Sequence, residues 1–461
     1  MDVTILIFGA TGDLAKKKLI PALYGLIKTK KLENYIIVGA AINDISVHEV
    51  LDHAKSSIAD LDENLWKSLS QRFFYKPIDF NDKNYFDTLK NYVEQLEKQF
   101  NLVGNRLIYC ATPSDFFCVL TEHVAQSGLA KRTTSSGPWC RIIYEKPFGH
   151  DLQSAQEINA CIARYFDEDQ IYRIDHFLTK ELVINLALLR FTNIVFEPLW
   201  NNQFIDNIQI IIDEKILVDD RGKYYDRYGA VRDIVQNHQL ELLALIAMEA
   251  PKKLEGNYIR EERARVLQHV RFVDGIFGQY QGYLTTHGVQ PQSTTETWAE
   301  LICTIDNERW NGVPFYLRTG KGMRSKCTII HVVFKQAECR LTTCPVANNY
   351  LTIRIDPDAG FTLYLNAKKP GELADIMPVA MDFCHSCLYA QTTPRAYEVL
   401  LEEVLRGSKS IAVRFDEIED SWRMVDEIYA RKLPVFSYVV GSEGPQERME
   451  FAKKHGIRVM T

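Results

Sequence analysis

The stretch GATGDLAKKK, residues 9–18, follows an apolar run and opens a segment with apolar residues along one face. The run ILIFG (5–9) predicts a buried parallel strand, residues 13–28 predict a helix, and YIIVGA (35–40) predicts the next strand. These three elements together predict a βαβ unit.

The residue types of this stretch suit a turn that binds an anion. Gly9 allows a tight turn, Gly12 allows a ligand to approach the backbone, and Ala15 is small enough for the helix to pack on the sheet. The free N–H groups and dipole of the helix can hold a pyrophosphate. The spacing is G-x-x-G-x-x-A rather than the common G-x-G-x-x-G. The prediction of a dinucleotide site therefore depends mainly on the position of the motif after a strand and before a helix.

Two further apolar runs end in small, polar or charged residues. They are RLIYCAT (106–112) and CRIIYEKPFG (140–149). Ligands collect at the carboxyl ends of the strands in an open α/β sheet, so residues 111–113 and 145–147 are predicted to line a crevice. Residues 1–175 are therefore predicted to form a Rossmann-like, dinucleotide-binding α/β domain.

The pattern changes after about residue 175. Extended segments joined by turns alternate with helical stretches at 233–248 and 394–405; the extended segments are 208–218, 300–306, 327–335, 350–355 and 361–368. This predicts a larger α+β domain over residues 176–461, with a mainly antiparallel sheet backed by helices.

Composition restricts the class of partner. The chain has 461 residues, a formal net charge of -6 and no apolar run of membrane-spanning length. The charge offers no footprint for nucleic acid or for an anionic membrane. MDVTILIF at the start has no basic region before a long apolar core. We expect a cytoplasmic protein without nucleic-acid or membrane partners.

A metal site is an alternative that the cysteines raise. Cys384 and Cys387 form a C-x-x-C, and Cys339 and Cys344 precede them, so a four-thiolate zinc site is conceivable. The wide spacing of the earlier pair and the strand-like sequence around both pairs disfavour it. We expect no metal.

Two histidines stand beside acids in ordered-looking sequence. His176 lies in RIDHFLTKE (173–181), and His238 follows Gln236 and Asn237 at the start of a strongly apolar helical run. A lone histidine on a helix is more often a packed or surface residue than a catalyst. Three adjacent polar residues opening an apolar helix, however, are typical of groups presented to a cleft.

Five motifs occur in one order: GATGDLAKKK, YEKPFG, RIDHFLTKE, GKYYDRYGAVRDIVQNHQL and YLRTGKGM. In this the chain resembles the glucose-6-phosphate dehydrogenase family, and the resemblance continues through RAYEVLLEEVLRG and VGSEGP. It implies oxidation of C1 of glucose 6-phosphate to 6-phosphogluconolactone with NAD(P)+, the first oxidative step of the pentose phosphate pathway. It also implies a homodimer or a tetramer.

The resemblance assigns roles to residues of this chain. His238 matches the general base, and Asp175 matches the carboxylate that orients the imidazole and stabilises its cation. His176 and Lys180 match the phosphate site, and Lys146 matches a lysine between sugar and coenzyme. The full implied substrate set is Lys146, His176, Lys180, Glu214, Asp233, Lys321 and Lys326. The implied coenzyme set is Gly9, Thr11, Gly12, Asp13, Leu14, Lys18, Ala111, Thr112, Pro113 and Lys146.

Three substrate-site positions depart from the family pattern. Phe177 replaces a usual tyrosine, Thr179 a usual glycine, and Asp356 a frequent glutamine. An added carboxylate near the sugar leaves open an amine-bearing substrate such as glucosamine 6-phosphate. A non-catalytic dinucleotide- or sugar-phosphate-binding homologue is the remaining alternative.

The coenzyme site departs as well. Ile42 stands where NADP-preferring members usually have the arginine that binds the 2'-phosphate, and Asn43 and Asp44 follow. Thr11 and the basic run 16–18 survive, and Lys18 could still reach a 2'-phosphate. We expect NAD+ to be slightly favoured over NADP+. Because the chain ends at Thr461, we expect the second, structural dinucleotide of some family members to be absent.

Overall fold

The structure is a computed structural model that describes residues 2–58, 60–133, 137–338, 347–371, 376–389 and 394–460. The strands are β1 Asp2–Phe8, β2 Asn34–Ala41, β3 Phe73–Pro77, β4 Arg106–Cys110, β5 Cys140–Glu145, β6 Ile171–Ile174, β7 Ile205–Asp213, β8 Val270–Tyr280, β9 Trp298–Ile305, β10 Phe315–Gly320, β11 Cys327–Phe334, β12 Tyr350–Asp356, β13 Gly360–Lys368, β14 Ile376–Cys384, β15 Ala412–Val413 and β16 Val435–Tyr438.

The α-helices are α1 Ile20–Lys28, α2 Val47–Lys55, α3 Glu63–Gln71, α4 Lys83–Gln99, α5 Phe117–Gln126, α6 Leu152–Tyr165, α7 Glu181–Phe191, α8 Gly222–Ala230, α9 Leu240–Ala247, α10 Gly256–His269, α11 His385–Tyr389, α12 Ala396–Arg406, α13 Phe415–Ala430 and α14 Arg448–Lys454. Two further segments, Ala15–Leu19 and Val231–Gln239, are π-helical. Among the helices of the described residues, none is both long and apolar enough to cross a membrane.

The chain divides into two compact units. The first contains Met1–Thr179, Glu255–Arg260 and Pro394–Phe415, and the second contains Lys180–Leu254, Glu261–Thr393 and Asp416–Thr461. The domain boundary expected after residue 175 stays a prediction. The return of a late segment to the first unit is a feature that the sequence patterns did not indicate.

The first unit is built on a seven-stranded sheet with the order β15-β6-β5-β4-β1-β2-β3. Its pairs are parallel, except that β15 runs antiparallel to β6. In β1, Ile5 is in register with Ile37 of β2 on one side and with Leu107 of β4 on the other. The strand order therefore reverses at β1, and a crevice forms beyond the carboxyl ends of the strands at such a point. The Rossmann-like fold and its βαβ unit are confirmed.

The second unit is built on a nine-stranded sheet with the order β14-β13-β12-β11-β7-β10-β9-β8-β16. Most neighbours are antiparallel, as expected; β10–β7 and β16–β8 are parallel. The extended segment expected over residues 208–218 is wrong in its second half. β7 ends at Asp213 because its partner β10 ends at Gly320, and the backbone N–H of Met323 then donates to Glu214 O at 3.0 Å.

Candidate active site

The turn after β1 is a tight backbone cradle. Gly9 has a φ of +86°, and a Cβ on it would lie 2.5 Å from the carbonyl oxygen of Ala111. The backbone N–H of Gly12 donates to Gly9 O at 3.0 Å, and that of Lys16 donates to Gly12 O at 3.1 Å. Ala15 is fully buried. Only glycine fits at position 9, and the shape suits a pyrophosphate at the start of the helix.

The other predicted coenzyme residues flank this cradle. Thr112 is 9% exposed, and its hydroxyl has no hydrogen-bond partner among the described residues, as expected of a group that a ligand would satisfy. Asp13 pairs with Lys17 at 3.0 Å. Leu14 is half-buried, and Pro113 and Lys18 are exposed. The glycine turn, the Thr112 hydroxyl and the exposed Lys18 therefore fit a dinucleotide.

The end of β2 carries Asn43 in a fixed position. The Thr11 hydroxyl donates to Asn43 Oδ1 at 2.8 Å, and the Tyr75 hydroxyl donates to Asn43 O at 2.5 Å. Burial, with the nearby charge of Asp44, raises the pKa of Tyr75 to about 12, so its phenol remains a donor. Ile42 is 70% exposed. In the sequence Asn43 is only a neighbour of Ile42, because its contact with Thr11 depends on the pairing of β1 with β2.

Lys146 follows a buried carboxyl that sequence analysis did not single out. Glu145 is 8% exposed and accepts hydrogen bonds from Tyr109 of β4 and from Tyr397 of α12. Burial raises the pKa of Glu145 to about 7, against the opposing effect of these two hydrogen bonds. The end of β5 that bears the half-buried Lys146 is thereby tied to β4 and α12.

The segment after β6 forms a compact turn around Asp175. Asp175 is 3% exposed, and its Oδ1 accepts a hydrogen bond from the backbone N–H of Phe177 at 2.8 Å. The Thr179 hydroxyl donates to His176 O at 2.8 Å. The rings of His176 and Phe177 meet edge to face at 5.2 Å. Phe177 and Thr179, two of the departures from the family pattern, thus both contact His176.

Asp233 and His238 lie on the π-helical segment Val231–Gln239. Its first N–H, of Val231, donates to Glu296 Oε1 at 3.0 Å, next to a kink at Gly229, where φ is +68°. At its end, Gln239 Nε2 donates to the carbonyl oxygens of Ile210 at 3.0 Å and Arg318 at 2.7 Å. His238 is 1% exposed. π-Helical turns are frequent at functional sites, and this one is fixed at both ends.

Three of the predicted substrate residues converge in the second unit. Lys321, which is 6% exposed, forms an ion pair with Glu214 and lies 3.6 Å from Asp233 Oδ2. Its Nζ is also 5.4 Å from the centroid of the Tyr225 ring. A single buried ammonium therefore neutralises part of the charge of two carboxylates and holds both in place.

A second ionic cluster joins Lys180, Lys326 and Asp356. Asp356 Oδ2 is 2.7 Å from Lys326 Nζ and 3.6 Å from Lys180 Nζ. The family resemblance implies that both lysines bind the substrate, and it marks Asp356 as a departure from the family pattern. It did not predict that the three would meet.

The zinc alternative receives no support. Cys384 and Cys387 are joined to each other as a disulfide, so neither is a thiolate available to a metal. Cys339 and Cys344 lie outside the described residues.

A parallel sheet with a glycine cradle at its switch point, followed by a unit with a buried lysine between two acids, defines a dinucleotide-dependent oxidoreductase of two units. Residues 6–185 match the family model of the glucose-6-phosphate dehydrogenase NAD binding domain, and residues 187–459 match that of the glucose-6-phosphate dehydrogenase C-terminal domain. The chain belongs to the glucose-6-phosphate dehydrogenase family.

Relatives agree over nearly the whole length. The chain is 40% identical to glucose-6-phosphate 1-dehydrogenase of Bacillus subtilis, over 98% of this chain and 97% of that protein. It is 37% identical to the enzyme of Chlamydia muridarum, over 98% and 95%. A solved glucose-6-phosphate dehydrogenase in complex with its substrate glucose-6-phosphate superposes with a TM-score of 0.93 at 32% identity, covering 100% of this chain and 99% of the other. For the Mycobacterium avium enzyme the TM-score is 0.88 at 34% identity, covering 100% and 98%.

Proposed function

We propose that the site residues described above catalyse oxidation of C1 of glucose 6-phosphate to 6-phosphogluconolactone, the first oxidative step of the pentose phosphate pathway. The observation that carries the assignment is the convergence of Lys321, Glu214 and Asp233, because these residues come from three separate segments and present acceptors suited to sugar hydroxyls.

Proton removal is assigned to His238. Bound NAD(P)+ supplies the hydride acceptor, so the chain must remove the proton of the C1 hydroxyl. A neutral imidazole is a suitable acceptor near pH 7. We assign to Asp175 the role of orienting that imidazole and stabilising its cation, as a carboxylate does in hydrolase triads.

Substrate binding is divided between charge and hydrogen bonding. His176 and Lys180 are assigned to the phosphate, which needs cations and donors. Glu214 and Asp233 are assigned to the sugar hydroxyls, with Lys321 holding the two carboxylates in position. The remaining two lysines, Lys326 and Lys146, are assigned to the substrate, the latter also to the coenzyme.

NAD+ is proposed as the slightly favoured coenzyme. Ile42 is exposed where an arginine would bind a 2'-phosphate, and the fixed Asn43 beside it carries no charge. Ile42→Arg should shift the ratio of kcat/KM toward NADP+ by about tenfold or more, because one charge-assisted hydrogen bond is worth about 1.5–3 kcal/mol. A wild-type enzyme that already prefers NADP+ a hundredfold would contradict this assignment.

A glucosamine 6-phosphate dehydrogenase is the second candidate, and Asp356 is the residue that raised it. Its carboxylate is already paired with two lysines, which favours the glucose sugar over the amine-bearing one. His238, Asp175 and Lys146 argue against a non-catalytic homologue, since a binding protein has no need of a general base. A cytoplasmic homodimer or tetramer completes the proposal, on the family resemblance.

An absorbance assay at 340 nm tests the proposal, crossing several hexose 6-phosphates with NAD+ and NADP+. Glucose 6-phosphate should give the highest kcat/KM. His238→Asn should keep binding of both ligands and lower kcat by about 10²–10⁴-fold, the usual contribution of a positioned base. Higher kcat/KM on glucosamine 6-phosphate would support the second candidate, and a His238→Asn variant with more than half the wild-type rate would remove His238 from the mechanism.

A further inference from the structure

Asp356 lies where two proposed substrate lysines meet. It is the last residue of β12 and is in register with Thr328 of β11. Thr328 follows Lys326 by two positions in the sequence. Its Oδ2 is 2.7 Å from Lys326 Nζ and 3.6 Å from Lys180 Nζ. The side chains of Lys180 and Asp356 are 24% and 25% exposed, and that of Lys326 is 64% exposed. One short carboxylate on a strand end thus faces both ammonium groups.

This arrangement changes the charge that an incoming anion meets. Two ammonium groups with one carboxylate between them carry a net charge of about +1 instead of +2. A phosphate that binds Lys180 must either displace the Asp356 carboxylate from that lysine or bind with this carboxylate still paired to it. In the second case the negative charge of Asp356 repels the phosphate. An uncharged sugar meets neither cost, because it brings no charge to the cluster.

We infer that Asp356 is an internal competitor for the phosphate of the substrate at Lys180 and Lys326, and that it sets the affinity for hexose 6-phosphates without taking part in the chemical step. The inference rests on the proposed function, since it places the substrate phosphate at Lys180. It makes Asp356 a specificity-determining residue that weakens anion binding.

The test replaces Asp356 by Asn, which keeps the shape and removes the charge, and by Gln, the residue frequent in the family. For both variants the KM for glucose 6-phosphate should fall by about fivefold or more, with kcat within twofold of wild type. The KM for unphosphorylated glucose should stay unchanged. Asp358→Asn is the matched control, because it makes the same charge change at an exposed position two residues away.

A binding measurement makes the test independent of turnover. The Kd of inorganic phosphate, measured by calorimetry on the enzyme without sugar, should fall in the Asp356 variants by the same factor as the KM, and not in Asp358→Asn. The difference from wild type should shrink in high salt, which screens partly exposed charges. Two variants are used so that a folding defect in one does not decide the outcome.

Three results with phosphate, glucose and glucose 6-phosphate would overturn the inference. These are an unchanged phosphate Kd in both variants, a higher KM for glucose 6-phosphate, or an equal change of KM for glucose and its phosphate. A selective loss of activity on glucosamine 6-phosphate would also overturn it, in favour of recognition of the amine. If the wild-type enzyme oxidises no hexose 6-phosphate, the proposed function fails, whereas the phosphate titration still decides whether Asp356 competes for anions.

Discussion

Replacing Gln239 by Met removes the two hydrogen bonds that attach the end of the π-helical segment Val231–Gln239 to β7 and β10. Gln239 is fully buried and donates to Ile210 O at 3.0 Å and to Arg318 O at 2.7 Å. Each such bond contributes about 0.5–1.5 kcal/mol net, so Gln239→Met should lower the free energy of unfolding by about 1–3 kcal/mol.

A second variant, Gln239→Glu, separates the effect of a buried charge from the effect of losing the two hydrogen bonds. It keeps the size of the side chain but turns a donor into a carboxylate that faces two carbonyl oxygens at a fully buried position. Burying that charge costs more than losing the hydrogen bonds, so we expect a loss larger than that of Gln239→Met at pH 8. Burial raises the pKa of such a carboxyl, so at pH 5 the folded protein can hold it in the neutral, protonated form. The loss of stability should therefore be smaller at pH 5 than at pH 8.

Urea unfolding and steady-state kinetics at 340 nm measure the two consequences. His238 precedes Gln239 in the segment, so a shift of the segment should lower kcat by about tenfold or more through misplacement of the base. The KM for the coenzyme should not change, since the glycine cradle belongs to the first unit. A Gln239→Met variant with wild-type unfolding energy and wild-type kcat would refute the reasoning. So would a Glu variant as stable as the Met variant at pH 8.

Three other predictions follow from the same structure. Gly9→Ala should raise the KM for the coenzyme by about tenfold or more, because positive φ alone costs about 1–2 kcal/mol. Gly12→Ala should have a smaller effect, because its Cβ would lie 3.2 Å from a carbonyl oxygen. Lys180→Ala should weaken binding of glucose 6-phosphate far more than of glucose, and equal losses would show a structural lysine. In the folded protein Glu145 has a pKa of about 7, whereas in the unfolded chain it loses its proton near the ordinary pKa of 4.5. The thermal stability of the wild type should therefore fall as the pH rises from 5 to 7.5. The thermal stability of Glu145→Gln should not fall over this range.

Four strands of the first unit, β1, β2, β4 and β5, could be predicted from the sequence because each contains an apolar run that is almost wholly buried. The predicted strands at 5–9, 35–40 and 106–112 correspond to β1, β2 and β4 within three residues at each end. The turn at Gly9 could be predicted for a related reason, since its strain is local and requires glycine.

The π-helical geometry of residues 231–239 could not be predicted from local pattern. Periodicity indicated an ordinary helix over 233–248, and the apolar face of that helix is real. The geometry depends on Glu296, which accepts the N–H of Val231, and on the sheet carbonyls that accept from Gln239. These partners are distant in sequence, and so is the pairing of Asp356 with Lys180.

The same limit applies to residues 394–415. A helix was predicted over 394–405, and α12 spans Ala396–Arg406. Its membership in the first unit depends on long-range contacts, such as Arg141 Nη1, which donates to Val404 O at 2.8 Å and to Leu405 O at 2.6 Å.

This late segment has a consequence for synthesis of the protein on the ribosome. The first unit contains β15 and α12, which are translated only after residues 180–393 of the second unit. Translation proceeds at about 5–20 residues per second, so residues 180–393 take on the order of tens of seconds. During this time the first unit lacks strand β15, helix α12 against its core, and the Tyr397 hydroxyl that donates to Glu145. During that interval the edge of β6 that β15 will cover is open to chaperones and to other nascent chains. A messenger RNA truncated before the codon for residue 394 would encode a first unit that lacks residues 394–415.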